Sequence, residues 1–153
     1  MYWEDLKTDD CFVTNGRTVT EADVMQFAGL SGDFNRLHTD EVYARQTIFG
    51  TRIAHGLLGL IISSGLINQM QLFEGSIIAL LGYENWKFHA PLRIGDTIHA
   101  RMIITGKRTT SKPDRGIVYR TIEVVNQNDE IIQSGQSPLL LKMRSASQPE
   151  KGA

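Results

Sequence analysis

One long uncharged segment constrains the fold of this chain more than any other feature. Between Arg52 and Glu74 lie 21 residues without Asp, Glu, Lys or Arg, and the most apolar part runs from Leu57 to Ile67. The segment approaches the length of a membrane span, yet it also contains a histidine, two serines, an asparagine and two glutamines. Its composition therefore predicts a helix over 55–70 that is buried within protein on most of its sides.

Runs rich in β-branched residues follow this helix and are separated by turn-forming residues, which is typical of antiparallel strands. The predicted strands are 76–81, 85–88, 97–107, 116–125 and 130–143. One apolar helix followed by four or five such strands predicts an α+β fold in which the sheet curls around the helix.

The residues before the apolar helix predict shorter elements. Thr20 and Asp23 have the spacing of a capping box, which predicts a helix over 21–29 that ends at Gly29. A short strand is expected at 17–19 and a second short helix over 40–46. The polar residues 145–153 are predicted to be disordered, so that one domain spans 1–144.

Charge and cysteine content exclude several classes of function. The formal net charge is −1, from 16 basic and 17 acidic residues, which argues against a general binder of nucleic acid or anionic membranes. The single cysteine, Cys11, cannot form an internal disulfide. The first residues show neither the basic nor the apolar run of a signal peptide, so we expect a cytoplasmic protein.

Asp33 and His38 are the first candidate for chemistry. They are five residues apart, a spacing that would send them to different faces of a helix. Gly32 and Asn35 favour a loop instead, on which an acid and a base can converge. Each residue taken alone also fits a plainer interpretation, a turn aspartate and a surface histidine.

The start of the apolar helix is the second candidate. Ala54-His55-Gly56 forms a turn before it, and the first amides of a helix have no partner within the helix. Such amides stabilise negative charge. An acid/base pair beside such a helix start is a plausible arrangement for catalysis.

The segment Gly32-Asp33-Phe34-Asn35-Arg36-Leu37-His38 resembles the signature of MaoC-like dehydratases and (R)-specific enoyl-CoA hydratases. Ile53-Ala54-His55-Gly56 and Trp86-Lys87-Phe88 extend the similarity, which covers residues 3–144. The resemblance implies a hot-dog fold and reversible addition of water to an α,β-unsaturated acyl thioester. It also implies that no metal or redox cofactor takes part, and that coenzyme A enters only as part of the substrate.

The same resemblance assigns roles to individual residues. Asp33 and His38 would hold the reacting water, Ser64 would orient that pair, and the Gly56 amide would bind the thioester carbonyl. Asn35 is expected to hold the loop, with contact to substrate as the alternative.

Two further residues near this segment have open roles. His55 is expected to shape the turn before Gly56, with proton transfer as the alternative. Arg36 departs from the family, which usually has proline there, and the added cation would favour an acidic substrate.

The sequence also allows three other functional interpretations. A metal site built from Asp33, His38, His55 and His89 lacks the HxxxH or CxxC spacing of common metal motifs. A hot-dog thioesterase usually has a carboxylate on or near its central helix, and none lies between Arg52 and Glu74. A catalytically silent acyl-CoA-binding subunit is the non-enzymatic alternative.

The predicted sheet leaves an exposed edge and an open flank of the central helix. A second copy of the chain would cover both. We therefore expect a homodimer or a larger homo-oligomer.

Overall fold

A curved antiparallel sheet packs around one long helix in the computed structural model, which describes residues 1–144. The helices within this range, after a 3₁₀ turn at Trp3–Asp5, are α1 (Glu21–Ser31), α2 (Arg36–Thr39), α3 (Glu41–Ala44) and α4 (Gly56–Gln69). The strands are β1 (Cys11–Val13), β2 (Arg17–Thr18), β3 (Ile77–Leu80), β4 (Glu84–Phe88), β5 (Thr97–Thr109), β6 (Arg115–Val125), β7 (Ile131–Gln136) and β8 (Leu139–Lys142).

The main sheet has the strand order β1-β5-β6-β7-β4, and all of its neighbouring strands are antiparallel. Strand β8 pairs with the first part of β6 and also with β3. This sheet and the long helix it encloses confirm the predicted α+β hot-dog arrangement. No helix in the described part of the chain is long and apolar enough to span a membrane.

Helix α4 packs against the sheet along one face. Leu58, Ile62 and Leu66 recur every four residues and are at most 6% exposed, so they form one apolar stripe against Ile98 and Ile132 of the sheet. On another face Leu57 and Ile61 are more than half exposed. The expectation that a second copy covers this flank stays a prediction.

A close approach between helix and sheet occurs at Gly59. A Cβ atom there would overlap with Nε2 of Gln133, a buried side chain on β7. Gln133 Nε2 donates to the Gly56 carbonyl at 3.0 Å, and Trp86 Nε1 donates to Gln133 Oε1 at 3.2 Å. The glycine therefore makes room for a hydrogen-bonded amide that joins α4, β7 and β4.

The predicted end of α1 was wrong by two residues. The capping box at Thr20 and Asp23 is present, but the helix continues past Gly29 to Ser31. Gly32 ends it, because this residue adopts the left-handed conformation (φ 76°) and its amide bonds to the Ala28 carbonyl at 2.9 Å. The glycine that ends the helix is the one beside Asp33.

Two predicted strand boundaries also need correction. The run 130–143 is not one strand but two, because the chain breaks at Ser137-Pro138 and changes partners from the second half of β6 to its first half. Proline has no N–H for the ladder, which accounts for the break. Strand β1 was not among the predicted strands. The predicted disordered tail, 145–153, falls outside the described residues.

We expect the Gly59→Ala substitution to lower the free energy of unfolding by about 1–3 kcal/mol, because the added methyl group displaces the buried Gln133 amide. Gly65→Ala is the matched control in the same helix, since nothing lies within 4 Å of a Cβ there. It should be neutral or should stabilise by up to about 1 kcal/mol. Urea denaturation measures both, and equal effects of the two substitutions would contradict this account.

Candidate active site

The loop after α1 is held by short-range hydrogen bonds. Asp33 Oδ1 accepts from the Asn35 amide at 3.2 Å, and Asn35 Oδ1 accepts from the Leu37 amide at 3.0 Å. Asn35 thereby caps α2, a single helical turn that includes His38. The segment 31–39, expected to be a loop throughout, is thus helical at both ends with Asp33 between them.

His38 is fixed by two hydrogen bonds between its turn and the segment before α4. Its Nδ1 lies 2.8 Å from the Ile53 carbonyl, and the Ile53 amide donates to the Leu37 carbonyl at 3.1 Å. A carbonyl can only accept, so Nδ1 carries the ring proton. In the neutral ring this leaves Nε2 as an unprotonated base.

His55 lies in the interior next to these residues and is 3% exposed. Its Nε2 lies 2.9 Å from the backbone carbonyl of Asp33, so Nε2 carries the proton. Its ring is tilted by 30° against the His38 ring at a centroid distance of 3.8 Å, and it also contacts Phe27. His55 therefore supports both the backbone of Asp33 and the ring of His38 from the inside.

The structure brings Asp33, His38 and His55 together: one carboxylate oxygen and one nitrogen of each ring lie within 4.8 Å of one another. Such groups are possible metal ligands, but the protons on His38 Nδ1 and His55 Nε2 are directed at backbone carbonyls. The donors left free of these bonds are an Asp33 carboxylate oxygen, His38 Nε2 and His55 Nδ1, and the last is buried without a hydrogen-bond partner. Metal sites commonly use three or four protein ligands, so the expectation that no metal takes part stays a prediction.

A cavity of about 670 Å³ adjoins this group, and both His38 and Gly56 line it. Gly56 is the first residue of α4, and its amide donates to no acceptor within residues 1–144. The Phe88 ring covers Gly56 so closely that a Cβ would lie 2.7 Å from Cε1 of that ring. The cavity thus combines an unprotonated imidazole nitrogen with an unpaired helix-start amide.

Among the candidate residues, Ser64 lies far from this cavity within a single chain. It lies eight positions after Gly56, which corresponds to about 12 Å along the helix axis. It lines a different cavity, beside Ile67 and Arg120. The role assigned to Ser64 stays a prediction.

Arg36 is paired with residues that follow it closely in the chain. Its Nε and Nη2 donate to Asp40 Oδ2 at 3.0 and 2.8 Å, and its guanidinium lies 4.3 Å from the centre of the Tyr43 ring. The Tyr43 amide and then Arg36 hold the pKa of the Asp40 carboxyl below its usual range. Arg36 remains largely exposed on the outside of the loop.

Sequence reasoning missed Gln133 and Phe88, which fix the Gly56 peptide from the sheet side. Phe88 was noted only as part of a motif. Gln133 had no signal in the sequence, because a polar residue next to the buried Ile132 in a strand is expected on the opposite face, yet both are buried. The part played by the Ile53 carbonyl could not be predicted from the sequence, because every residue has a backbone carbonyl.

A family profile described as "MaoC like domain" matches residues 7–126. The chain is 40% identical over 105 residues to the (R)-specific enoyl-CoA hydratase of Rhodospirillum rubrum, covering 69% of this chain and 70% of that protein. It is 40% identical over 114 residues to Protein MaoC of Klebsiella aerogenes, covering 74% of this chain. The match spans only 33% of that longer protein.

Similarity extends to solved structures. The crystal structure of a monoamine oxidase regulatory protein from Archaeoglobus fulgidus superimposes with a TM-score of 0.89 at 35% sequence identity. The match covers 95% of this chain and 96% of the other. The two chains therefore share the whole fold.

We expect the two neighbouring histidines to have opposite tautomers in the neutral protein. His38 should carry its proton on Nδ1 and His55 on Nε2, because each of these atoms faces a backbone carbonyl. Two-dimensional ¹H–¹⁵N NMR of the imidazole rings at alkaline pH distinguishes the tautomers, with the strand residue His99 as an internal reference. A His38 ring protonated on Nε2 would contradict the geometry of the site.

Proposed function

Because this chain belongs to the MaoC-like dehydratase family, we propose that it is a hydro-lyase acting on acyl thioesters. It would add water reversibly to an α,β-unsaturated acyl-CoA and form an (R)-3-hydroxyacyl-CoA, the reaction named for its relative from R. rubrum. The observation that carries the proposal is the meeting of the Asp33 carboxylate with the His38 ring beside the Gly56 amide.

Proton transfer in this proposal centres on His38. A water held between the Asp33 carboxylate and His38 Nε2 gives a proton to Nε2 as its oxygen attacks Cβ of the thioester. The second hydrogen stays on the water oxygen and donates a hydrogen bond to the carboxylate, which also stabilises the imidazolium. The proton then passes from Nε2 to Cα, so that both parts of the water add to one face and His38 returns to its neutral state.

The Gly56 amide supplies the second element of the mechanism. Attack at Cβ moves negative charge onto the thioester oxygen, and a preorganised N–H donor at that oxygen lowers the barrier. Gln133 holds the carbonyl of Gly56 and Phe88 packs on its Cα side, so the start of the helix is fixed before substrate arrives.

The same steps need no metal or redox cofactor, and coenzyme A takes part only as the thiol of the substrate.

We also propose that the protein works as a homodimer. The exposed side chains of Leu57 and Ile61 on α4 and of Phe88 on β4 form an apolar flank, and β4 pairs with β7 alone among the described strands. A second copy would bury this flank and complete the edge.

We expect Asp33→Asn and His38→Ala each to lower kcat/KM for hydration by about 10²–10⁴-fold, the usual contribution of a positioned acid or base. The loss of absorbance of the conjugated thioester measures the rate, and circular dichroism checks the fold. Asp129→Asn in the β6–β7 turn and His99→Ala on β5 are matched controls and should retain the wild-type rate. Near-wild-type turnover in either site variant would refute the proposed pair.

A screen across enoyl-CoAs of graded length should accompany these variants. Release of free thiol without hydration would identify a thioesterase instead. Thioester binding without either product would identify a catalytically silent binding subunit.

A further inference from the structure

A second cavity, of about 530 Å³, lies along the C-terminal half of helix α4. Its walls combine polar residues with apolar ones, among them Ile67 of the helix and Ile122 and Leu139 of the sheet. It shares no lining residue with the cavity beside His38. The mechanism above makes no use of this second cavity.

Arg120 is the unusual residue in its wall. Side chains alternate along β6, and the buried positions Val118, Arg120 and Ile122 all face the interior. Arg120 is only 6% exposed, so a full positive charge sits among apolar neighbours on the concave face of the sheet. Arginine is rarely buried unless its charge is paired.

The hydrogen bonds of Arg120 leave its charge uncompensated. Nε donates to the Ser137 carbonyl at 2.7 Å, Nη2 to Ser137 Oγ at 3.2 Å, and Nη1 to Met102 Sδ at 3.1 Å, all neutral acceptors. No carboxylate of residues 1–144 forms an ion pair with Arg120, and Glu74, the acid in the cavity wall, is exposed to solvent. Burial lowers the pKa of Arg120 to about 10, so the group remains charged at neutral pH.

The remaining donors of Arg120 suit one kind of ligand. A guanidinium has five N–H groups, and the three contacts above leave two of them. The planar group binds carboxylates through paired N–H donors, and Tyr83 lines the same cavity with a further hydroxyl. An anion here would also offset the cost of the buried charge.

We propose that this cavity binds a carboxylate carried on a short apolar chain, with Arg120 pairing with the carboxylate and the apolar walls enclosing the chain. The carboxylate has two possible sources. It is either a free carboxylic acid or the far end of the acyl chain of a dicarboxylic thioester. The second source rests on the proposed hydratase activity, whereas the first does not.

Binding of simple acids to the full chain tests the site without any reaction. Hexanoate and hexanamide are nearly equal in size and differ in charge, and isothermal titration calorimetry compares them. We expect hexanoate to bind at least about tenfold more tightly, because charge-assisted hydrogen bonds are stronger than those between neutral groups. Equal binding of the two compounds to the wild-type protein would overturn the proposal without any variant.

Variants test whether Arg120 is the residue that causes the preference for hexanoate. Arg120→Met keeps the apolar stem of the side chain without its charge and should abolish the preference for hexanoate, whereas Arg120→Lys should retain part of it. Arg101→Met is the control, since Arg101 lies on the opposite face of the sheet and pairs with Glu123. Wild-type hexanoate binding by a folded Arg120→Met protein would show that Arg120 only joins β6 to Ser137, and the proposal would fail.

Thioester substrates then distinguish the two sources of the carboxylate. If the carboxylate belongs to the substrate, the wild-type protein should hydrate an enoyl-CoA ending in a carboxylate with about tenfold higher kcat/KM than its methyl-ended analogue, and Arg120→Met should remove that preference. Hydration without preference, together with hexanoate binding that depends on Arg120, identifies a free acid as the ligand. If no thioester is hydrated, the proposed function fails while the titrations still decide the carboxylate site.

Discussion

The sheet can close on helix α4 only because two glycines leave space where helix and sheet meet. Gly59 admits the Gln133 amide, and Gly56 admits the Phe88 ring. A buried amide must find partners for both its donor and its acceptor, and Gln133 finds them in the Gly56 carbonyl and the Trp86 indole. The helix start is therefore fixed by interior packing, and its free amide keeps one direction whatever the surface loop does.

The proposed acid and base, Asp33 and His38, are held in different ways. The His38 ring is held from both sides, by the Ile53 carbonyl and by the buried His55 ring. Asp33 is held mainly through its backbone, whose carbonyl accepts from His55, while about half of its side-chain surface stays open to solvent. The His38 ring is thus packed on one face against the interior, whereas the Asp33 carboxylate is open to solvent.

Much of this architecture could be predicted from sequence, because it rests on periodicity and local chemistry. The apolar run gave α4 within one residue at each end, and the capping box gave the start of α1. The end of α1 was missed because Gly29 and Gly32 look alike in sequence, and only the folded chain decides which takes a positive φ. The two cavities could not be foreseen, although the inward register of Arg120 between Val118 and Ile122 was visible in the alternation.

The hydrogen bond from His38 to Ile53 ties the His38 ring to the segment that begins helix α4. Ile53 and Gly56 are three residues apart in the same segment. The backbone between them therefore fixes the distance from the Ile53 carbonyl, to which His38 donates, to the Gly56 amide. The position of His38 relative to the Gly56 amide is therefore set within this one short segment, and Arg36, which pairs with Asp40 outside it, takes no part in setting it.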